Sequence, residues 1–498
     1  MDGWNDLLTR MREIRELRSA SALLSWDQET CLPAKASEAR GRQIAAVEAV
    51  IHERLCAPAL GEALARLAGD RTLAAERAAM VRNLGREVER ARKLPASWVR
   101  ALAEAQSAGL AAWREARRQG QFALFAPRLE RLVELRRQQA DLLGHGGQRY
   151  DALLGIFEPG TRLADVEPLF ARLAAELRKL LGAIAARPKP PQPLEGRFDE
   201  AKQWELSLLF IRAMGFDLEA GRLDRSAHPF TNGLHPLDVR LTNRFREDDP
   251  RPAIFGALHE CGHGLYEQGF DPAHDGSGLA EAASLGLHES QSRLWENLVG
   301  RSLPFWRAFF PSVQSAFPEA LAGWTAERFH AAVNEVRASP IRVEADEVTY
   351  NLHIVLRLRL EVALLAGDLK PADLPAAWAE ASRELLGLTP RDDREGALQD
   401  IHWAWGELGY FPTYTLGNLY STLLLRAAER DRVALWEEIG HGDLLGLRDW
   451  LREKVHRPGH LRDAEDTVKA ATGHGLSEGP FVDYLWSKYG ELYGVSRG

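Results

Sequence analysis

Phe255-Gly256-Ala257-Leu258-His259-Glu260-Cys261-Gly262-His263 reads as one stretch of helix with a His-Glu-x-x-His pattern inside it. At 3.6 residues per turn His259 and His263 share a helix face, so both imidazoles reach one metal ion while Glu260 projects beside it toward a bound water. That is the spacing of a zinc-type hydrolytic centre on a rigid helical support. The pentapeptide alone also fits two ordinary helix-surface histidines, so a third ligand decides the matter. Cys261 points away from the line joining the two histidines and reads as a small packing residue.

A third ligand is expected from the run Gly278 to Trp295, which reads as a second helix anchored by Leu287, Leu294, Trp295 and, just beyond, Leu298. Its dense His288-Glu289-Ser290-Gln291 cluster leaves enough chain after His263 to turn back antiparallel. Glu289 is the leading candidate, since two histidines and one carboxylate leave the fourth zinc position open, as catalysis requires. Glu281 is the alternative, either as ligand or as a carboxylate orienting a ligand histidine through its free ring nitrogen.

Composition fits an enzyme with no polyanionic partner. Against 63 basic residues stand 71 acidic ones, a net charge of −8 that disfavours nucleic acid. Cys31, Cys56 and Cys261 are the only cysteines, too few for a disulfide framework, and a reduced cytoplasmic setting is expected. The start Met1-Asp2-Gly3-Trp4-Asn5-Asp6 lacks the basic and apolar regions of a secretory signal. The most apolar stretch, Leu352 to Leu365, is interrupted by Arg357, Arg359 and Glu361, as in a buried or amphipathic helix rather than a membrane span.

Helical periodicity covers most of residues 4 to 185; Leu129, Leu132, Val133, Ala140 and Leu143 line one face of one such helix. Arg187-Pro188-Lys189-Pro190-Pro191-Gln192-Pro193 breaks that pattern, because successive prolines forbid helix. The expected organisation is a single peptidase unit, 1–498, with a helical subdomain at 1–187, a proline-rich connector at 188–196 and a catalytic subdomain at 197–498. One strand is legible. From Leu237 to Phe245, Asp238, Arg240, Thr242 and Arg244 alternate with Leu237, Val239, Leu241 and Phe245. It reads either as an exposed antiparallel strand with an ion pair along one face, or as a strand bordering the metal groove and able to pair with an extended peptide.

Two further clusters are dense in polar groups. Pro340-Ile341-Arg342-Val343-Glu344-Ala345-Asp346 precedes the apolar helix, with Asp346 placed as its N-cap and Arg342 beside a carboxylate. Gly396-Ala397-Leu398-Gln399-Asp400-Ile401-His402-Trp403, followed by Gly409 to Tyr414, mixes Gln, Asp, His, Trp and Tyr more richly than packing needs.

With these residues assembled, the chain resembles the carboxypeptidase Taq family of thermostable metallocarboxypeptidases. The family signatures D-x-R-x-T, H-E-x-x-H, H-E-S/G-Q, I-R-x-x-A-D and G-x-x-Q-D-x-H-W match Asp238–Thr242, His259–His263, His288–Gln291, Ile341–Asp346 and Gly396–Trp403, in order. Trp26-Asp27-Gln28-Glu29-Thr30 and Tyr484-Leu485-Trp486-Ser487-Lys488-Tyr489 resemble family segments too, so the likeness spans nearly the whole chain. Cys31 and Lys35 are a small departure that touches no catalytic role. The resemblance implies a mainly α, zincin-like fold with a deep groove and a small antiparallel sheet, and a homodimer acting on peptides with a free C-terminal carboxylate. It implies that His259, His263 and Glu289 hold zinc, or cobalt where supplied, and that Glu260 is the general base. The oxyanion then needs a protonated donor, for which Tyr414 is first choice, Tyr410 second, and His402 an assistant. A guanidinium fork suits the terminal carboxylate: Arg342 leads, with Arg240, next to Asp238, second. The competing readings are a zinc-dependent oligopeptidase, which needs no carboxylate anchor, and a helical scaffold with a structural metal, which needs four closed ligands.

Overall fold

A computed structural model describes residues 2–187 and 191–497. Helices dominate, and the chain forms two compact units that each draw on three separate segments. The first comprises Met1–Arg92, Pro191–Val333 and Tyr420–Gly475; the second comprises Lys93–Pro190, Asn334–Leu419 and Leu476–Gly498. Packing therefore does not follow the expected sequential division at 187 and 197. One crossing does fall in the proline-rich run. Residues 188–190 of the connector lie outside the described residues, and 191–196 form neither helix nor strand. The N-terminal helices are shared out because each buries its apolar stripe where a matching face exists. Leu7, Met11, Ile14, Leu60, Leu64, Val81 and Leu84 form one buried cluster with Leu279, which ties the first segment to the second.

In the first unit a three-stranded sheet consists of β1 (Gly221–Arg225), β2 (Thr231–His235) and β3 (Asp238–Asn243), in the order β1-β3-β2. It is mixed rather than antiparallel. β3 runs parallel to β1, with Gly221 opposite Val239, and antiparallel to β2, with Thr231 opposite Leu241. β3 is thus the central strand, both its edges are taken, and its main chain has no edge left for an extended peptide. Alternation holds along Asp238–Leu241, with Val239 and Leu241 fully buried. It fails at Thr242 and Asn243, which are both buried because their side chains satisfy nearby backbone. Thr242 Oγ1 accepts from the Phe230 amide at 2.9 Å, and Asn243 Nδ2 donates to the Ala253 carbonyl at 2.8 Å. The helices Glu200–Ala213 and Arg251–Gln268 pack on one another, the latter also against β3, and Phe210 and Phe255 meet Phe305, Trp306 and Phe309 in an aromatic core.

The second unit is organised around the helix Glu347–Ala366, of whose 20 residues all but four are buried. Asp346 is its N-cap, accepting from the amides of Val348 at 2.9 Å and Thr349 at 3.0 Å. Helices Ala126–Leu143, Arg149–Phe157, Leu163–Ala185 and Leu374–Leu386 pack around it. No helix among the described residues is long and apolar enough to cross a membrane.

Candidate metal centre

The helix Arg251–Gln268 is apolar on most of its circumference: Ala253, Ile254, Phe255, Ala257, Leu258, Cys261 and Leu265 are all buried. Cys261 is fully buried, and burial pushes its thiol well above the usual range, so it packs and does not ligate. His259 and His263 lie on the face turned to the second helix of the site. That helix is shorter than the sequence reading. It begins at Leu285, where the Ser284 hydroxyl oxygen accepts from the Leu287 amide at 3.0 Å, and runs to Arg293.

Gly262 sets the distance between the two helices. A Cβ there would stand 2.6 Å from the Gln291 carbonyl oxygen and 2.7 Å from Ser292 Cα, so only glycine permits the approach. The approach brings Glu289 to both histidines, with its Oε2 3.4 Å from His263 Nε2 and 3.8 Å from His259 Nε2. The ligand atoms of His259, His263 and Glu289 all lie within 4.8 Å of one another, the one such His/Cys/Asp/Glu group found among the described residues. The other oxygen, Oε1, accepts from Arg293 Nε at 2.6 Å. Burial alone would raise the Glu289 pKa, but Arg293 and the two histidines outweigh it and hold the carboxylate well below the usual range.

After Arg293 the chain widens into a π-helical turn, Leu294–Val299, which carries Glu296. Glu296 Oε2 accepts from His259 Nδ1 at 2.8 Å. Burial works against an imidazolium at His259, yet Glu289, Glu296 and Glu260 together raise its pKa to about 9. At His263 burial and the neighbouring His288 act in the same direction and lower the pKa to about 3. Glu260 is buried, which raises its pKa, and Thr231 Oγ1 on β2 lies 2.7 Å from its Oε2. Glu281 is not part of this group: it lies in the irregular stretch before Leu285 and pairs with Arg15.

The other expected site residues fall into two places. On β3, Arg240 makes a paired contact with Asp238, at 2.9 and 3.1 Å, and its guanidinium stacks 4.4 Å over Trp26. In the second unit Arg342, His402, Tyr410 and Tyr414 gather together. Arg342 is 6 % exposed and braces on Asp400, through Nε at 3.0 Å and Nη2 at 2.8 Å, rather than on Asp346. Arg357 bonds to the other oxygen of Asp400, and the two guanidiniums hold its carboxyl well below the usual range although burial opposes them. The Arg342 guanidinium also lies 5.1 Å from the Tyr414 ring centre. His402 Nε2 is 3.3 Å from the Tyr414 hydroxyl, and burial with the two arginine charges lowers its pKa to about 3, leaving it neutral.

Sequence reasoning misses Thr231, Glu267, Glu296 and Glu361. Glu267 had a signal, four residues beyond His263 on the same helix face. Thr231 had none, because only sheet pairing brings it to Glu260.

A donor set of two imidazoles and a carboxylate fits a divalent metal. The comparisons agree. The model of the family described as carboxypeptidase Taq (M32) metallopeptidase matches residues 6–489. The chain is 44 % identical to thermostable carboxypeptidase 1 of Thermus thermophilus over 505 aligned positions, 99 % of each chain. It is 37 % identical to carboxypeptidase 1 of Bacillus subtilis, over 98 % of this chain and 97 % of that one. It superposes on the crystal structure of the M32 carboxypeptidase from Deinococcus radiodurans with a TM-score of 0.97 and 40 % identity, covering 99 % of this chain and 100 % of that one. With a family match over nearly all its length and relatives aligned end to end, the chain belongs to the carboxypeptidase Taq (M32) family and is a metallocarboxypeptidase.

Proposed function

We propose that the chain is a zinc-dependent carboxypeptidase that releases C-terminal residues from peptides, with His259, His263 and Glu289 holding the metal and cobalt as an alternative occupant. The observation that carries this reading is the donor set: two imidazoles whose Nδ1 atoms are engaged elsewhere and one carboxylate, all within 4.8 Å. Three protein ligands leave a position for water or substrate, as in catalytic zinc sites. When bound, the metal acidifies a water and polarises the scissile carbonyl.

The protein groups then divide the remaining work. Glu260 takes the water proton and delivers it to the leaving amine; the Thr231 hydroxyl on Oε2 holds the carboxylate in place, and burial raises its proton affinity toward the operating pH. Tyr414, with Tyr410 second and the neutral His402 assisting, donates a hydrogen bond to the oxyanion. Arg342 takes the substrate carboxylate, with Arg240, held by Asp238, the second candidate. In support, two buried guanidiniums share the single carboxylate Asp400, so that group carries excess positive charge that an anionic chain end neutralises. A homodimer acting on short peptides in the cytoplasm, without nucleic acid or membrane partners, belongs to the same reading and rests on the family.

The test compares an N-blocked dipeptide acid with its C-terminal amide, using metal-loaded protein, chelator-treated protein and Glu260→Gln. Cleavage of the acid alone, abolished by chelation and lowered about 10²- to 10⁴-fold in kcat by Glu260→Gln, is expected. Equal cleavage of the amide overturns the carboxypeptidase mechanism in favour of an oligopeptidase.

A further inference from the structure

His259 and His263 are engaged on their outer nitrogens in different ways. His259 Nδ1 meets a carboxylate directly, that of Glu296, at 2.8 Å. His263 Nδ1 meets another imidazole nitrogen, Nδ1 of His288, with ring centres 4.4 Å apart and planes tilted by 33°. The far nitrogen of that second ring, His288 Nε2, lies 2.8 Å from Glu267 Oε1. His263 with Glu267 on one helix and His288 with Glu289 on the other form two pairs. Glu267 follows His263 by one helical turn, and His288 immediately precedes Glu289.

We propose that Glu267 and His288 act as a relay of positioning residues that fixes the tautomer of His263 and so presents its Nε2 lone pair to the metal. This rests on the reading of His259, His263 and Glu289 as the metal ligands. An ionised carboxylate only accepts, so Glu267 requires a proton on His288 Nε2. A neutral imidazole with its proton there has a bare Nδ1, which only accepts. His263 must then carry its proton on Nδ1, and its Nε2, 3.4 Å from Glu289 Oε2, is left as a lone pair. The opposite tautomer would place a proton where the cation binds. Proton positions along the chain thus follow from a single charge at its far end.

The surroundings hold that charge in place. A Cβ on Gly233 of β2 would stand 2.3 Å from Glu267 Oε2, so in this position the carboxylate is seated against β2 at a residue that carries no side chain. The Arg15 guanidinium, paired with Glu281, also lies near enough to interact electrostatically with Glu267. On the other side the Tyr266 ring centre is 5.4 Å from that of His288 and limits rotation of the imidazole. Carboxylates that orient ligand histidines commonly do so directly; here a second histidine extends the reach of the carboxylate by one ring.

The experiment measures Co²⁺ binding to the metal-free protein by competition with a chromophoric chelator, with the visible spectrum of bound Co²⁺ as a second readout. The variants are His288→Phe, which keeps a ring but no nitrogen, and Glu267→Gln, whose amide donates as readily as it accepts and imposes no tautomer. Loss of affinity of about 10- to 100-fold in His288→Phe, a smaller loss in Glu267→Gln and an altered Co²⁺ spectrum in both are expected. Thermal unfolding of the metal-free variants separates misfolding from this effect, and Glu267→Gln, being isosteric, serves if His288→Phe does not fold. Affinities within about twofold of the parent in folded variants overturn the relay. A parent that binds no Co²⁺, or a Glu289→Ala variant that binds it as tightly as the parent, overturns the metal assignment itself and the relay with it.

Discussion

Two groups of buried charge, one around Glu289 and one around Asp400, are built from the same residue types to opposite ends. Around Glu289 most of the hydrogen bonds are directed outward: Glu296 engages His259, His288 engages His263, and Arg293 engages Glu289, while Oε2, which faces the histidines, accepts from the Ser292 hydroxyl at 3.1 Å and keeps a lone pair for a cation. Around Asp400 the bonds close on themselves. One oxygen takes Arg342, the other takes Arg357, and nearby Glu361 takes three donors: Trp403 Nε1 at 2.8 Å, the Tyr150 hydroxyl at 2.9 Å and the Gly409 amide at 3.0 Å. Buried charge therefore presents a ligand in the first group and fixes shape in the second. Substitutions of Glu296, His288 and Arg293 in the first group should register in metal binding and rate, and those of the bracing carboxylates Asp400 and Glu361 in the second should register in stability.

The largest effect is expected at Asp400. Asp400→Asn keeps the shape but leaves two buried guanidiniums without a counter-charge and turns an amide N–H toward one of them. Loss of one partner from a buried ion pair costs about 3–5 kcal/mol, to be read from denaturant unfolding. Because its carboxyl is held well below the ordinary range, the contribution of Asp400 is complete above the unfolded value of about 3.9 and fades only as pH falls through the lower folded value. Moderate acid should not mimic the substitution. Unchanged stability with weakened Co²⁺ binding would break the comparison.

Glu361 gives a second test, in the opposite pH direction. Burial raises its carboxyl to about 7 although Trp403, Gly409 and Tyr150 all donate to it. A carboxyl whose folded pKa is raised contributes stability that is complete below the unfolded value of about 4.3 and is lost as pH rises through about 7. Between those limits unfolding free energy should fall by on the order of 3 kcal/mol from this group. Glu361→Gln should start lower, because its amide meets donors, but should lack that slope. The readout is unfolding free energy against pH for both proteins, and parallel curves would refute the assignment. The substitution should also loosen the turn at Gly409, where φ is +92° and a Cβ would stand 2.8 Å from the Leu154 amide nitrogen.

The same contrast explains what could be read from the sequence. His259 and His263 were legible because helix periodicity alone puts them together, and Glu289 because it stands in a dense polar cluster within one helix. Glu281 misled because the helix start depends on the Ser284 cap and not on apolar spacing. Glu296 was hidden by the π-helical turn, which shifts residues away from the 3.6-residue rule. The alternation of β3 was plain, but its central place was not, since a parallel neighbour paired eighteen residues upstream leaves no local mark. In the Asp400 group the partners Arg342 and Asp400 are 58 residues apart, a pairing set only by packing. The interleaving of the two units is non-local in the same way, so a proline-rich break marked one crossing and nothing marked the others.

The smallest effect sharpens the comparison most, because it should leave stability nearly untouched. Thr231 has one hydroxyl proton and two acceptors in reach, Glu260 Oε2 at 2.7 Å and the Glu260 carbonyl oxygen at 2.9 Å. A bond to the charged oxygen is the stronger of the two, so the proton belongs on Oε2 and the carboxylate is held at one rotation. Thr231→Val preserves the branched shape that β2 needs while removing that donor. The net value of such a bond, about 1–1.5 kcal/mol, corresponds to a fall of about five- to tenfold in kcat. KM and Co²⁺ affinity should hold, since neither the substrate nor a ligand histidine loses a contact. Thr231→Ser should restore most of the rate, as it restores the hydroxyl. A Thr231→Val enzyme with parental kcat would mean that Glu260 is positioned without this bond, and a large loss of stability would move Thr231 into the class of residues represented by Asp400.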